Sequence, residues 1–569
     1  MFGSCRKIHG PDYDCLSRGD DVIKSNQKDI SKRPSALFLG GDQIYADDVS
    51  SVMMPMVMEL GEAIVGKEKL AGVEDELPYK FGSRGYLMKS FGLEKLGHYA
   101  DNHLMKFGEF VAMYCLAWNP DLWQKGFISK AKKKVIDDFV CEGEKDDTKA
   151  VKKRFKKHTD EIQLVQQFLL SLKNVRKLLA NIPTYMIFDD HEISDDWNIT
   201  QEWKEKMIEE HLACQTLSNG IAAYWLFQAW GNNPSMFSDS FVNSIVEFTE
   251  KTSKPNPPSH YDYKSFYGLK SFGGQWDFTT PTFPKALFLD TRTKRFYELY
   301  SDREAFSLDR IKDIIAKGIN KAVNFSLEQL NQLKKKIGDE ETMSKRFSPQ
   351  LIKSEHLEIL KSKFPFEGET FFLVTATPLF GIQRIEDTFR LGNLFLNTEA
   401  FDSESWAANY DGYLAFLKFL INDVKAKNCI ILSGDVHYGF VNECKIKIDG
   451  ANHPTTFTQI TSSSLKNNSK NQLTPSVVNI LERLEENTEP FKIHEDIEWT
   501  EHRTYFPIEN GDSEQTKIIA ENNLGLLKYE NTLLEYQFLY LRDNNKPNCL
   551  LYTSPSPRDQ RGSRMPSSA

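Results

Sequence analysis

Three short segments of this 569-residue chain place side chains of the kind that bind metal ions directly after an apolar run. Residues 41–45 read Gly-Asp-Gln-Ile-Tyr, residues 189–192 read Asp-Asp-His-Glu, and residues 434–437 read Gly-Asp-Val-His. Carboxylate and imidazole groups that converge in a fold are frequent ligands of catalytic cations. The three segments together therefore predict a metal site, although they lie far apart in the sequence.

Asp42 and Tyr45 carry the chemistry of the first segment. Gly41 allows a tight backbone turn after a strand, so Asp42 can present its carboxylate at the strand end and bridge two cations. Tyr45 lies three residues further on, and a phenolate is a hard anionic ligand that suits a trivalent metal better than Mg²⁺. The alternative is an ordinary turn in which Asp42 caps the next helix.

Asp189, Asp190 and His191 form the second segment. Two adjacent carboxylates after a buried strand repel each other, and their burial is costly without compensating cations. A histidine beside them can give a proton to a leaving oxygen, because its ordinary pKa is near neutrality. Asp195 and Asp196 follow and add further oxygen ligands. The alternative is an acidic surface turn with a solvated histidine.

Asp435 and His437 repeat the design in the third segment. In extended backbone, two residues separated by one other point to the same side, so we expect both side chains to reach one site. An isolated Asp-x-His pattern is more often structural than functional. Because this pattern follows a third apolar run, it is stronger evidence for a functional site.

The elements that must position these side chains are strands. Apolar runs at residues 36–39, 185–188 and 429–432 indicate buried strands, and similar runs occupy residues 286–289 and 371–374. Strands that alternate with helices predict an α/β sheet. In such sheets ligands bind at the carboxyl ends of the strands, where all three polar segments lie.

Helical patterns fill much of the sequence between the strands. Residues 51–180 are predicted to form a large helical insertion, residues 201–230 one amphipathic helix, and residues 413–424 a short helix. Near the end, residues 536–541 and 549–552 flank an Asp-Asn-Asn-Lys-Pro segment, which predicts a hairpin.

Composition excludes several classes of protein. The formal net charge is −9, from 71 basic and 80 acidic residues, which disfavours a general nucleic-acid binder. Eight cysteines without a Cys-x-x-Cys motif argue against a disulfide framework or a structural zinc site. No apolar stretch approaches ~18 residues, so we expect no membrane span.

Taken in order, these motifs resemble the calcineurin-like dimetal phosphoesterases, whose blocks are Gly-Asp-x-x-Asp or Tyr, Gly-Asn-His-Asp or Glu, and Gly-His-x-His. Asp190 stands where that superfamily usually has Asn, and Asp435 where it usually has the first His. Both changes resemble the PhoD-like alkaline phosphatase family. So do residues 4–6 (Ser-Cys-Arg) and residues 290–292 (Asp-Thr-Arg), with further similarity at residues 411–413 and 462–464. The resemblance runs from about residue 2 to about residue 465.

The resemblance implies a dinuclear centre of Fe³⁺ and Ca²⁺ type, with other divalent metals as alternatives. Cys5 and Tyr45 would be thiolate and phenolate ligands of the iron, and Asp42 would bridge to the second ion. The implied metal ligands are Cys5, Asp42, Tyr45, Asp190, Asp435 and His437. The alternative for Cys5 is a buried structural thiol.

The resemblance also implies a fold and catalytic roles. The expected fold is α/β: a metallophosphoesterase-type β-sheet sandwich flanked by helices (αββα), with the helical insertion at about 51–180. His191 would act with Asp190 on the leaving group or the phosphoryl oxygen, and Arg6 and Arg292 would hold phosphate oxygens. For Arg292 an ordinary surface ion pair is the alternative.

The function that follows is metal-dependent hydrolysis of a small phosphoester by metal-activated water, as in an alkaline phosphatase or phosphodiesterase. Phosphomonoesters and phosphodiesters both remain open as substrates. The alternatives are phosphodiesterase or phospholipase-D-like activity only, and a metal-binding homologue without activity. A structural or interaction protein is a weaker alternative, since the ligands would then have no common purpose.

The two ends of the chain carry separate expectations. The start lacks the basic and apolar regions of a signal peptide, which favours the cytoplasm, and a truncated N-terminus is an alternative. Residues 1–552 are expected to form the catalytic domain. Residues 553–569 are rich in Ser, Pro and Arg and predict a disordered or non-native tail.

Overall fold

The fold is described from a computed structural model of the 569-residue chain. The structure describes residues 1–73, 84, 102–133, 149–252, 258–268, 275–299, 347–363, 370–381, 405–406, 409–449, 454–468, 491–494, 497–505, 508–509, 518–530, 533–541 and 547–553.

Two large sheets of mixed strand direction dominate the described part of the chain. Their strands, with those of a separate two-stranded ribbon (β6 and β7), are β1 (Phe2–Gly3), β2 (Leu37–Gly40), β3 (Thr184–Ile187), β4 (Phe278–Thr279), β5 (Ala286–Phe288), β6 (Phe296–Leu299), β7 (Phe347–Gln350), β8 (Phe371–Thr375), β9 (Asn428–Ser433), β10 (Phe440–Ile448), β11 (Thr455–Thr461), β12 (Phe491–His494), β13 (Ile497–Tyr505), β14 (Ile508–Glu509), β15 (Asn523–Glu530), β16 (Leu533–Leu541) and β17 (Pro547–Thr553). The first sheet has the order β14-β17-β16-β15-β1-β2-β3, and the second has the order β12-β13-β10-β11-β9-β8-β5-β4.

Each sheet has a parallel part that carries the motifs. Strands β1, β2 and β3 run parallel in the first sheet, with Phe38 opposite both Phe2 and Tyr185. Strands β5, β8, β9 and β11 run parallel in the second sheet. The remaining pairings are antiparallel, including the β16–β17 hairpin that the sequence predicts. The predicted strands at 36–39, 185–188, 286–289, 371–374 and 429–432 are therefore present, with ends shifted by about one residue.

The α-helices in the described residues include α1 (Arg18–Ser25), α2 (Met54–Val65), α3 (Phe107–Trp118), α4 (Lys149–Leu179), α5 (Gln201–Glu209), α6 (His211–Tyr224), α7 (Trp230–Asn232), α8 (Asp239–Thr252), α9 (His260–Tyr267), α10 (Ser354–Lys363) and α11 (Tyr410–Lys418). Helices α2, α3 and α4 lie within the predicted insertion at 51–180. Residues 74–83, 85–101 and 134–148 of that stretch lie outside the described residues.

The prediction of a single helix over residues 201–230 is wrong. Thr200 caps α5 by accepting a hydrogen bond from the Trp203 amide, and α5 ends at Glu209. Glu210 then has extended backbone (φ −83°, ψ 118°), which breaks the helical path before α6 begins. Both helices bury one face in the same core, so the helical spacing of apolar residues continues across Glu210. The sequence pattern therefore does not reveal the break.

Alternating side chains of the strands separate three apolar layers. Phe38, Ile187, Phe288 and Val374 belong to one cluster that both sheets share, so the two sheets pack face to face. On its other face, the first sheet packs Leu37 and Leu39 against a cluster that includes residues of α2, α3, α4 and α6. The second sheet packs Leu373 and Ile431 against α10 and α11. The predicted mixed α/β class is confirmed.

Candidate metal centre

The site lies at the carboxyl ends of parallel strands from both sheets. In the first sheet, β1 leads into Cys5, β2 into Asp42 and β3 into Asp190. In the second sheet, β9 leads into Asp435 and His437. The two sheets face each other, so loops from both meet at one edge of the molecule, as expected for an α/β ligand site.

Two groups of potential metal ligands share one carboxylate. Cys5, Asp42 and His437 form the first group, and Asp42, Asp190 and His191 form the second. In each group, one ligand atom from every residue lies within 4.8 Å of the others. Such an arrangement suits two neighbouring cations with Asp42 between them. The structure thus brings together five of the residues that the sequence selects.

Tyr45 stands beside the first group. Its hydroxyl donates to Asp42 Oδ2 at 3.2 Å and lies 3.3 Å from His437 Nε2. The Asn467 side-chain amide donates to the Tyr45 hydroxyl at 3.0 Å and lies 3.1 Å from His437 Nε2. Oxygen, nitrogen and sulfur donors therefore converge here, a mixed set that fits a transition metal better than Mg²⁺.

Four of the predicted ligands have left-handed backbone, which non-glycine residues rarely adopt. The φ angles are 55° for Cys5, 56° for Asp42, 66° for Asp435 and 60° for His437. The expectation that extended backbone directs Asp435 and His437 to one side is therefore wrong, because β9 ends at Ser433 and the chain turns sharply. Strained backbone of this kind tends to concentrate at functional sites.

Asp435 lies next to the first group but belongs to neither. Its backbone carbonyl accepts a long contact from Cys5 Sγ at 3.7 Å, and its Oδ2 accepts a hydrogen bond from the Thr377 hydroxyl at 3.1 Å. Its carboxylate is near enough to raise the pKa of Cys5. The role of Asp435 as a metal ligand stays a prediction.

The chemistry of these residues fits bound cations. Asp42 Oδ1 is buried and has no hydrogen-bond partner among the described residues. Burial raises the pKa of Asp42 well above its usual value, and the carboxylates of Asp189, Asp190 and Glu192 raise it further, while His191 lowers it. A buried carboxylate with this surplus of negative neighbours is stabilised by a cation.

Cys5 and Tyr45 show the same pattern. Burial raises the pKa of the Cys5 thiol well above its ordinary value, and the negative charges of the Asp42 and Asp435 carboxylates raise it further. Burial and the Asp42 charge likewise raise the pKa of Tyr45. Both groups would hold their protons in the free protein, and a coordinated cation is the kind of charge that displaces such a proton. Burial lowers the pKa of His437 to about 3, which keeps its imidazole neutral, as a metal ligand must be.

A carboxylate that the sequence did not single out positions His191. Asp47 is fully buried, and its two oxygens lie 2.9 and 3.0 Å from His191 Nδ1. Burial alone would lower the pKa of His191, but Asp47, Asp190 and Asp42 raise it well above the usual value. Asp195 joins Asp47 and His191 in a third group of potential ligands.

Glu192 connects the loops that carry Asp42 and Asp190. Its carboxylate accepts hydrogen bonds from the amides of Asp42 (3.0 Å), Gln43 (2.6 Å) and Asp189 (2.8 Å). It also accepts one at 3.1 Å from Gln228, which lies in a π-helical turn (Trp225–Ala229) after α6. Gly41 completes this junction, because at its φ of 115° a Cβ would lie 2.6 Å from the Asp189 Cβ.

The structure corrects the expected role of Arg6. Its side chain is fully buried and forms an ion pair with Asp14, with Nη2 2.8 Å from Oδ2. Its Nη1 donates to the Ala117 carbonyl, and its guanidinium lies 4.7 and 4.8 Å from the ring centroids of Trp118 and Phe168. A guanidinium with these contacts anchors the β1 loop to the helical layer rather than holding a substrate phosphate.

The structure also corrects Arg292. It is fully buried, its Nε donates to Asp189 Oδ1, and its Nη2 lies 3.2 Å from Asp190 Oδ1. Arg292 therefore matches neither the predicted phosphate contact nor the alternative of a surface ion pair. The side chain instead neutralises the adjacent carboxylates of Asp189 and Asp190. Its charge also lowers the pKa of Asp190 against the opposing effect of burial.

Sequence reasoning missed Asp47, Glu192 and Asn467 as parts of the site. Asp47 carries a signal in retrospect, since it lies two residues after Tyr45 and is followed by a second aspartate. Glu192 was visible only as the end of the Asp-Asp-His-Glu block. Asn467 lies three residues after the Ser-Ser-Ser motif at 462–464 and carried no signal of its own.

The fold and the site together define a mixed α/β protein with a candidate dinuclear metal centre. No family model and no curated protein matches the chain. Among solved structures the chain is similar to one titled "Structure of PhoD", with a TM-score of 0.37 and 11% identity, covering 97% of this chain and 67% of that one. At these values the similarity does not establish a family. In the described residues, no helix is long and apolar enough to cross a membrane.

Proposed function

We propose that this protein is a metal-dependent phosphoester hydrolase of the calcineurin-like dimetal type, within the PhoD-like branch. The observation that carries the proposal is the pair of ligand groups joined by the buried, hydrogen-bond-deficient carboxylate of Asp42. Its support from the sequence is the ordered set of motifs at residues 4–6, 41–45, 189–192 and 434–437.

Each residue has a role that its surroundings support. Cys5, Tyr45 and His437 would hold an Fe³⁺-type ion, Asp190 a Ca²⁺-type or other divalent ion, and Asp42 both. Cations held there would supply Lewis-acid activation of water and of the phosphoryl oxygens.

His191 would transfer a proton at the leaving-group oxygen through Nε2, because Nδ1 is engaged by Asp47. Asp47 stabilises the protonated imidazole and fixes the ring orientation. Arg292 lowers the pKa of Asp190, and its ion pairs hold the Asp189 and Asp190 carboxylates in place.

Replacing Asp42 tests the proposal most directly. Asp42→Asn removes the negative charge between the two ligand groups, so we expect loss of both bound metal and hydrolysis, by about 100-fold or more in kcat/KM. The measurements are metal content per chain and hydrolysis of p-nitrophenyl phosphate and of its bis-aryl diester. The matched control is Asp29→Asn, an exposed carboxylate bonded to Ser31, which should change neither.

Two further readouts decide between the outcomes. A thiolate or phenolate on Fe³⁺ should give a visible charge-transfer band, so a colourless active protein would contradict the iron assignment while leaving the hydrolase. Wild-type activity in a folded Asp42→Asn variant would contradict the proposed function itself. A wild-type protein that binds metal but hydrolyses neither ester would favour a metal-binding homologue without activity.

A further inference from the structure

Lys7, the residue next to Arg6, is a cation close to the candidate metal centre. Arg6 forms an isolated β-bridge with Lys466, and its guanidinium packs on Trp118 and Phe168 in the helical layer. Lys7 instead lies beside the candidate metal centre, with its ammonium 5.5 Å from the centroid of the Tyr45 ring. Its positive charge contributes, after burial and His191, to the lowered pKa of His437.

Lys7 belongs to a small charged cluster. Its ammonium forms an ion pair with Asp48, and Asp48 Oδ1 also lies 3.6 Å from His9 Nε2. The exposed fractions of the three side chains are 16% for Lys7, 13% for Asp48 and 10% for His9, so the cluster is partly exposed rather than part of the core.

The backbone of this segment is also fixed. The Lys7 amide donates to the Lys466 carbonyl at 3.1 Å, and the Lys7 carbonyl accepts from the Gly10 amide at 3.0 Å. A lysine ammonium has three N–H groups on a flexible stem, and it can turn from a protein carboxylate toward a phosphate oxygen. Asp48 therefore competes with an incoming anion for the Lys7 ammonium, while the fixed backbone keeps the side chain near the Tyr45 ring.

We propose that Lys7, paired with Asp48 in the free protein, forms an anion subsite that binds a terminal phosphate oxygen and so favours phosphomonoester dianions over phosphodiesters. This inference rests on the proposed phosphoester hydrolase function. The physical basis is charge: a monoester dianion carries one more negative charge than a diester, and a cation at the edge of the site attracts that charge. The diester's second organic group would meet Lys7 where the monoester presents a charged oxygen.

The test compares Lys7→Gln with Lys7→Arg in the full-length, metal-loaded protein. Lys7→Gln should weaken the binding of inorganic phosphate, measured by calorimetry, on the order of tenfold, the size expected for one charged hydrogen bond. It should lower kcat/KM for p-nitrophenyl phosphate by a similar factor and for the bis-aryl diester by about threefold or less. Lys7→Arg keeps the charge and should retain most of the phosphate affinity. Lys32→Gln, a surface lysine that pairs with Asp29 and is 73% exposed, is the matched control.

Asp48→Asn separates an anion subsite from a merely structural ion pair. Removing the Asp48 charge leaves Lys7 positive, so phosphate binding should be unchanged or tighter, in the opposite direction to Lys7→Gln. An equal loss in both variants would show that only the ion pair matters and would overturn the proposal. If Lys7→Gln does not fold, Lys7→Met, which keeps the aliphatic stem without the charge, replaces it with the same expected losses.

The outcomes distinguish this proposal from the function on which it rests. A wild-type protein that hydrolyses neither ester, but binds phosphate in a Lys7-dependent way, would refute the hydrolase and support the anion subsite. Hydrolysis of both esters with equal losses in Lys7→Gln, or phosphate binding unaffected by Lys7→Gln, would refute the subsite and leave the hydrolase standing.

Discussion

Among single residues, Asp47 fixes the ring orientation of His191 and favours its protonated form. The Asp47 carboxylate holds His191 Nδ1 in a hydrogen bond of 2.9 Å, and the His191 ring packs on Tyr45 with centroids 4.2 Å apart. A histidine fixed at one nitrogen presents the other in a defined direction, and a neighbouring carboxylate favours its protonated form. Asp47 is thus a positioning residue that acts through His191.

We expect Asp47→Asn to lower kcat for p-nitrophenyl phosphate by about 10- to 100-fold, because outer carboxylates that orient a histidine typically have effects of that size. KM should change little, since Asp47 is fully buried. Steady-state kinetics measures both parameters, and circular dichroism checks the fold. Asp195→Asn is the matched comparison, because Asp195 belongs to the same group of side chains. A larger change in KM than in kcat would contradict the positioning role.

The sequence specified most ligand candidates at this scale but not their surroundings. Asp42, Asp190, His191 and His437 could be selected because their types and their positions after apolar runs are local features. The inward direction of Arg6 could not, because it depends on Asp14 and on the rings of the helical layer. Long-range partners of this kind leave no mark in a single sequence.

Among elements, helix α3 begins on a buried carboxylate from another segment. Glu68 accepts hydrogen bonds from the Phe107 amide at 3.0 Å and the Gly108 amide at 2.7 Å, two donors that have no partner within the helix. Helix α3 packs in the apolar layer behind the first sheet, which also contains Leu37 and Leu39 of β2. By fixing the start of α3, Glu68 therefore helps to support the strand that leads into Asp42. Burial raises the pKa of Glu68 to about 7, although both amides oppose the rise.

Glu68 should make stability depend on pH. Its folded-state pKa of about 7 exceeds the ordinary value of 4.5, so the folded protein binds more protons than the unfolded chain between these values. The free energy of unfolding should therefore fall as pH rises through this window, by at most about 3 kcal/mol. Glu68→Gln cannot titrate and should show a shallower fall between pH 5 and pH 8 in urea unfolding.

Glu62→Gln provides the control for this prediction. Glu62 lies in α2 and pairs with Lys67, but its side chain is 54% exposed, so its replacement should leave the pH slope unchanged. A Glu68→Gln variant with the wild-type slope would show that Glu68 is ionised throughout this range.

Elements that a local apolar pattern marks could be predicted from the sequence. Features that depend on a single backbone angle could not. The strands β2, β3, β8 and β9 are apolar runs, and burial on both faces explains why β2, β8 and β9 were recognisable. The break at Glu210 and the left-handed turn at Asp435 each depend on a residue that no periodicity marks. The carboxyl-end location of the site followed from sheet geometry alone.

For the whole molecule, the layer between the two sheets joins the two halves of the candidate centre. Cys5, Asp42 and Asp190 follow strands of the first sheet, and His437 follows a strand of the second. Aromatic rings fill the layer that separates them. The centroid of the Phe288 ring lies 5.3 Å from that of Phe38 and 4.5 Å from that of Phe278. The relative position of the ligands therefore depends on packing between sheets.

We expect Phe288→Ala to lower both stability and metal binding. The side chain is fully buried, and truncating a core phenylalanine costs about 3–5 kcal/mol of unfolding free energy. The cavity lets the sheets shift, so affinity for the metal should fall although no ligand has changed. Urea unfolding measures the first effect and metal titration of the folded protein the second. Tyr261→Ala, at a ring that is 79% exposed, should change neither. Unaltered metal affinity in a destabilised but folded Phe288→Ala variant would show that the contacts of Cys5 with the Asp435 carbonyl and the Ser463 hydroxyl hold the centre together without the layer beneath it.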